Sequence, residues 1–241
     1  MIRLNHYIAT CGLCSRRKAD ELIARGAVTV DGRPANVGES IDPSRQRVLV
    51  EGKRAVQQSV EGARAHSTIV LNKPLGVVTT MRDERGRPSV ASLLPPSPRY
   101  FPVGRLDAQS TGVLLCTTDG DLAHQLTHPS YEVEKRYRVR VDGTLTPQTH
   151  TALHAERTRT NKDGTTTFET VLREGRNRQV RRMCAQRGLR VLELTRVSFG
   201  PVQLGTLAPG KTRPLTPAEK TALAKLRPPS PQKRAPVRPT E

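Results

Sequence analysis

Aromatic side chains are what this chain is shortest of: three Phe, four Tyr and no Trp in 241 residues. A binder of single-stranded nucleic acid stacks successive bases on aromatic faces, and this composition supplies few of them. Cysteine is scarce too. Of Cys11, Cys14, Cys116 and Cys184 only the first two have the two-residue spacing that metal and redox centres use, and a zinc site needs about four ligands. No metal or redox centre is expected, and the four thiols read as buried structural ones. Long apolar runs are missing. Nothing approaches the roughly 20 residues that cross a bilayer, and the first residues lack the apolar core of a secretory signal, so a cytoplasmic protein with no membrane partner is expected. Acid is short as well: 22 Asp and Glu stand against 40 Lys and Arg, a formal charge of +18. That excess goes far beyond solubility and implies a polyanionic partner, with nucleic acid ahead of an acidic membrane surface. Charge and shape, rather than stacking, are left as the means of recognition.

The chain divides by composition. In the first sixty residues Leu4, Tyr7 and Ile8 make one short apolar helical face, Ser15 can cap a second helix and Gly26 would end it. Ala19, Leu22 and Ile23 form the buried stripe of that second helix, which turns Arg16, Arg17, Lys18 and Arg25 outward as a basic face. Val28–Val30 runs into Asp31-Gly32, a tight-hairpin dipeptide, and Val48–Val50 can close the small sheet. From Val56 to Ser67 the sequence is polar and reads as a linker, which puts a boundary near residue 63. Strands are then predicted at 68–71, resuming at 77–80 after Asn72-Lys73-Pro74-Leu75-Gly76, and at 113–117, 137–141, 168–172 and 191–197. Helices are predicted at 119–127, 147–155 and 177–187. Strands outnumber helices, and their spacing predicts a mixed, largely antiparallel sheet. Residues 228–241 hold five prolines among Lys233, Arg234 and Arg238, cannot bury enough surface to fold, and read as a basic tail, either RNA-binding or merely solvated.

Two stretches can carry chemistry. Val103–Gly112 is a loop of small residues leading into the apolar run Val113-Leu114-Leu115, and it places Arg105 and Asp107 two apart between glycines, where close turns can bring both to one ligand. By itself such an aspartate either organises the turn or reacts. The second stretch, Arg173 to Arg190, has seven arginines and one glutamate. Gly175 opens its helix, and Val180, Met183 and Cys184 make the apolar face. Arg178, Arg181 and Arg182 lie three to four apart on one side, where like charges repel unless a partner is present. They can grip successive phosphates or balance a buried carboxylate.

The segment GRLDAQSTGVLLCTTDG resembles the signature of the pseudouridine synthase family named for the small-subunit ribosomal enzyme, a family that also includes large-subunit rRNA enzymes. NKPLGVVTT before it, EKRYRVRV after it and EGRNRQVRRMCAQRG further on stand in that family's order. RLNHYIATCGLCSRRKADELIARGAVTVDG resembles its S-four-type RNA-binding domain, and the whole match runs over residues 2–226. Cys116 and Thr118 depart mildly, replacing an apolar residue and an Asn. The resemblance implies an α+β protein: a small α/β RNA-binding domain over residues 1–62, a catalytic domain over 63–227 on a mixed, largely antiparallel sheet flanked by helices, and the tail over 228–241. It implies that Asp107 is the essential aspartate and Arg105 the arginine close to the displaced uridine. It further implies that Tyr137 contacts the target base and that Arg181 pairs with the aspartate, although Arg178 lies near enough to compete.

Those residue types suit the reaction. Pseudouridine formation breaks the bond from ribose to uracil nitrogen, turns the base and rejoins it through carbon 5. A carboxylate by the sugar can attack the anomeric carbon, stabilise positive charge there, or take a proton from the next ribose carbon, and an arginine beside it orients it and favours its charged form. The uridine must first leave its stack, at a few kcal/mol, with Arg105 and Tyr137 placed to hold it. Tyr137 can equally be a core aromatic, and Arg181 a phosphate contact. No cofactor is implied. A glycoside hydrolase would need a second carboxylate, for which Asp119 is the close candidate, although capping suits that position. A non-catalytic ribosome-associated RNA binder is the other rival. The partner implied is structured ribosomal RNA, either 23S rRNA or a subunit assembly intermediate, with 16S rRNA and tRNA as alternatives. Arg3, Arg16, Arg17, Lys18, Arg176, Arg178 and Arg182 are its expected contacts, and a monomer is expected.

Overall fold

A computed structural model describes residues 1–56 and 66–226. Most of the expected linker, the boundary near residue 63 and the tail from 228 lie outside these residues. The chain forms two units, Met1–His66 and Ser67–Glu241.

In the first unit α1 (Leu4–Thr10) and α2 (Arg16–Ala24) bury the two apolar faces read from the sequence. The Ser15 hydroxyl accepts from the Lys18 amide at 3.2 Å and so caps α2. Strands β1 (Val28–Val30), β2 (Arg33–Pro34), β3 (Val48–Val50) and β4 (Lys53–Arg54) make a small antiparallel sheet in the order β2-β1-β3-β4. Asp31 and Gly32 both take positive φ, 51° and 83°, as a two-residue hairpin turn demands.

The second unit comprises β5 (Thr68–Lys73), β6 (Thr111–Thr117), α3 (Gly120–Thr127), β7 (Lys135–Val141), α4 (Pro147–Ala152), β8 (Glu156–Thr160), β9 (Thr166–Leu172), α5 (Gln179–Ala185), β10 (Val191–Phe199), β11 (Thr212–Pro214) and α6 (Pro217–Ala224). Its sheet has the order β8-β9-β7-β10-β6-β5-β11. The pairs along this order are antiparallel except β6 with β10, where Thr111 and Gly112 run parallel to Thr195 and Arg196. Both faces of β6 are covered. Val113 and Leu115 join the cluster of Leu126 on α3 and Leu223 on α6, while Leu114 and Cys116 join that of Val180 and Cys184 on α5. A strand buried on both sides needs continuous rather than alternating apolar residues, which is what residues 113–116 supply.

Three expectations need correction. Residues 77–80 do not form a strand: Val78 makes a single bridge to Ser89, because the turn at Gly76 (φ 81°) carries the chain out of the sheet and Thr79 bonds Leu106 instead. The helix predicted from residue 177 begins at Gln179, since Arg178 takes a left-handed φ of 49°. Cys11 and Cys14 are half-exposed rather than buried, because they flank the turn between α1 and α2. Cys116 and Cys184 are buried, which pushes their thiols up to about 12 and about 11 and keeps them protonated and inert. No helix among the described residues is long and apolar enough to cross a membrane.

Candidate active site

The loop ahead of β6 is strapped down from both sides. On one, Gly76 donates to the Ala108 carbonyl at 2.8 Å, and the Thr79 hydroxyl both donates to the Leu106 carbonyl (2.7 Å) and accepts from its amide (3.2 Å). On the other, the Arg181 guanidinium donates to the Gln109 carbonyl at 2.7 Å and to the Val191 carbonyl at 3.2 Å. Arg178 reaches the same residue through the Gln109 side-chain oxygen, with both terminal nitrogens at 3.3 Å. Buried Leu106 anchors the loop from below, and the Ser110 amide closes its turn on the Asp107 carbonyl at 2.9 Å.

Asp107 is half-buried and lines a cleft of about 490 Å³ together with Arg82, Asp83, Arg85, Arg87 and Arg105. Among the described residues its carboxylate has no hydrogen-bond or ion-pair partner. Two cations nevertheless feel its charge. Arg181 is pulled down from its ordinary value by burial first and by Arg178 next, with Asp107 opposing both. Lys73, at the end of β5 and 0% exposed, is pushed down to about 8 by burial, again with Asp107 opposing. The Lys73 ammonium donates to the carbonyls of Pro74 (2.8 Å) and Val77 (2.7 Å), and so holds the turn that holds the loop. The expected direct pair of Arg181 with Asp107 is therefore not made. Arg181 binds the loop backbone two residues on, so its field reaches the carboxylate without covering it.

Sequence reading missed Lys73 and Gln109. A lysine at the end of a β-branched run with no acid nearby was the available signal for the first, and Gln109 had none. Tyr137, 9% exposed, sits in the apolar cluster that includes Leu106, Val180 and Leu194. Arg105 is exposed on the cleft. Of the expected RNA contacts, Arg182 is exposed and has no ion pair among the described residues, and Arg176 pairs with Glu174 at 2.8 Å. In the first unit Arg16 and Arg17 are exposed, Lys18 pairs with Glu21 at 2.9 Å, and Arg3 donates to the Gly38 carbonyl. Asp119 accepts from the amides of Asp121 (2.9 Å) and Leu122 (3.0 Å) and so caps α3. Asp83 and Glu84 share the cleft with Asp107; Asp83 is held down at about 2 by its hydrogen bonds from Arg87, which disqualifies it as the proton donor a hydrolase needs.

Comparison with known proteins gives the family. The family model described as RNA pseudouridylate synthase matches residues 67–186, and the S4 domain model matches residues 2–46. An uncharacterized RNA pseudouridine synthase of Mycobacterium tuberculosis is 38% identical over 232 residues, 89% of each chain. The ribosomal large subunit pseudouridine synthase B of Pseudomonas aeruginosa is 37% identical over 84% of this chain and 56% of its own. The dual-specificity RNA pseudouridine synthase of Escherichia coli is 34% identical over 93% of this chain and 79% of its own. A crystal structure of a pseudouridylate synthase superposes with a TM-score of 0.61 at 27% identity, over 92% of this chain and all of that one. With an S4 domain ahead of a catalytic sheet that carries the aspartate loop, the chain belongs to the RNA pseudouridine synthases, the enzymes that isomerise uridine to pseudouridine.

Proposed function

We propose that the enzyme acts on ribosomal RNA of the large subunit and that Asp107 is the carboxylate that acts at the ribose. The observation that carries the second part is the uncovered carboxylate of Asp107, flanked by cations that spend their hydrogen bonds on carbonyls. All its lone pairs stay available to substrate, and nothing must be broken before it reacts. The bond from C1′ to N1 breaks as Asp107 attacks C1′, stabilises its charge or takes the neighbouring proton. The base turns and C5 bonds to C1′, which releases the Asp107 carboxylate where it had bonded C1′ and returns the proton where it had taken one from C2′; the hydrogen on C5 then leaves as a proton and N1 gains one. Arg181 positions the loop, Arg105 holds the displaced nucleotide, and Tyr137 sits beneath the target base.

The RNA-binding domain over 1–62 docks on folded RNA through Arg3, Arg16, Arg17 and Lys18, contacting phosphates without reading sequence. Arg176, Arg178 and Arg182 add contacts beside the site, the tail over 228–241 adds charge, and the protein works as a cytoplasmic monomer. The large subunit is favoured by the name of the Pseudomonas aeruginosa relative. The test is pseudouridine mapping, by carbodiimide modification and primer extension, on RNA from cells with the gene deleted and then restored as wild type or Asp107→Asn. One 23S rRNA signal should vanish on deletion and return only with wild type. Its return with Asp107→Asn would remove the aspartate from the chemistry, and loss of a 16S rRNA or tRNA signal instead would move the substrate.

A further inference from the structure

Opposite Asp107 the cleft has a second wall, residues 80–88, which none of the motifs above explains. The segment is neither helix nor strand, yet it is closely organised. Its base is shut where Val78 donates to Pro88 (2.9 Å) and Val90 donates back to Val78 (3.0 Å). Inside, the Thr80 hydroxyl donates to the Arg82 carbonyl at 2.6 Å. The Asp83 carboxylate accepts from the amides of Arg85 (3.2 Å) and Arg87 (2.7 Å) and takes the Arg87 guanidinium at 2.7 Å. One aspartate thus fixes the whole turn and neutralises one arginine. Arg82 and Arg85 are left. Both are exposed, both line the cleft, and neither has an ion pair among the described residues. Glu84 between them lines the cleft too, also without an ion pair among the described residues, and with Asp83 held by Arg87 it is the acid whose charge is left to face an anion entering there.

Two free guanidinium groups on a preorganised turn, beside a carboxylate that reacts at a ribose, suit the phosphates on either side of that ribose. Guanidinium matches phosphate geometry through paired N–H donors, and a turn already fixed by Asp83 loses little freedom on binding. We infer that residues 82–87 form a phosphate clamp for the nucleotides flanking the target uridine, with Arg82 and Arg85 gripping and Asp83 and Arg87 as their frame. This rests on the reading of Asp107 as the reacting group.

The test uses the full chain and ribosomal RNA from cells lacking the gene, labelled with tritium at uridine C5, so that turnover releases tritium. Arg82→Ala/Arg85→Ala should raise KM by about tenfold and lower kcat far less, and should reduce the salt slope of RNA binding by about two, one per lost phosphate contact. Arg82→Lys/Arg85→Lys should restore most of the slope, because the slope counts charges. Glu84→Gln should lower KM by removing a like charge from the phosphate path. Filter binding repeated in the Asp107→Asn background separates the two readings. If Asp107→Asn releases tritium as fast as wild type, the Asp107 reading fails whatever the slopes do. If turnover is normal while the double alanine variant keeps the wild-type KM and slope, the clamp is refuted and Asp107 stands.

Discussion

Gly112→Ala should disable the catalytic unit by a route that touches no reacting group. A Cβ on Gly112 would lie 2.2 Å from the Arg196 carbonyl oxygen, 2.8 Å from its nitrogen and 2.9 Å from its carbon, and the residue has a φ of 101°. The obstacle is backbone, so no side chain can swing away, and β6 and β10 must separate at the point where they run parallel. The conformational part costs about 1–3 kcal/mol and the overpacking about another 1–3, so about 4 kcal/mol is expected. A unit of this size loses roughly 2–4 °C of Tm per kcal/mol, which puts the fall near 10 °C, read by thermal melting under circular dichroism. Gly120→Ala is the control. It has open space for a Cβ at the first position of α3, its φ is not positive, and alanine there should be neutral or mildly stabilising. A Gly112→Ala protein melting within about 2 °C of wild type would refute the steric argument.

Two further outcomes follow from the loop's supports. Lys73 is held at about 8 in the fold against an ordinary 10.5, so the folded state surrenders its proton first and the penalty for burying the charge is lifted as pH rises through that window. The stability of wild type relative to Lys73→Met should therefore grow between pH 8 and 10.5, by at most about 3 kcal/mol; denaturant midpoints at both ends measure it, and a flat or shrinking difference contradicts it. Arg181→Ala removes both guanidinium bonds and frees the Gln109 carbonyl. Tritium-release kinetics should show kcat down by about 100-fold with KM little changed, since misplacing a reacting group by an ångström costs about that much. A rise in KM alone would make Arg181 a phosphate contact instead.

What the sequence could and could not say follows from where the information sits. The cap by Ser15, the stripe Ala19-Leu22-Ile23, the turn at Asp31-Gly32 and the buried run of β6 are local, because each depends on neighbours within a few positions. Strand β8 was invisible: Glu156–Thr160 is exposed at the sheet edge and carries no apolar period. Helix α6 was missed although Thr216 and Glu219 form a complete capping box, since it buries only one large apolar residue, Leu223. Around the site, residue types in the aspartate loop and the arginine helix were legible. The bonding was not: Gln109 and Arg181 are 72 positions apart, and no spacing rule distinguishes a guanidinium aimed at a carboxylate from one aimed at a backbone carbonyl.

The parallel contact between β6 and β10 also bears on the order in which the protein becomes competent as it is synthesised. The buried cluster of the S4 domain is drawn wholly from the first 55 residues, so it can close as soon as they emerge, and domains generally fold as units from the N-terminus. The loop that carries Asp107 stays without its second strap until Arg181 and Val191 have been made, and its strand is paired with β5 but open at Gly112 on its other edge until Arg196 arrives. Capture of RNA can thus precede chemistry in the life of each molecule. A chain cut short ahead of Arg181 would be left with the grip of an RNA-binding protein and without the strap that fixes the Asp107 loop.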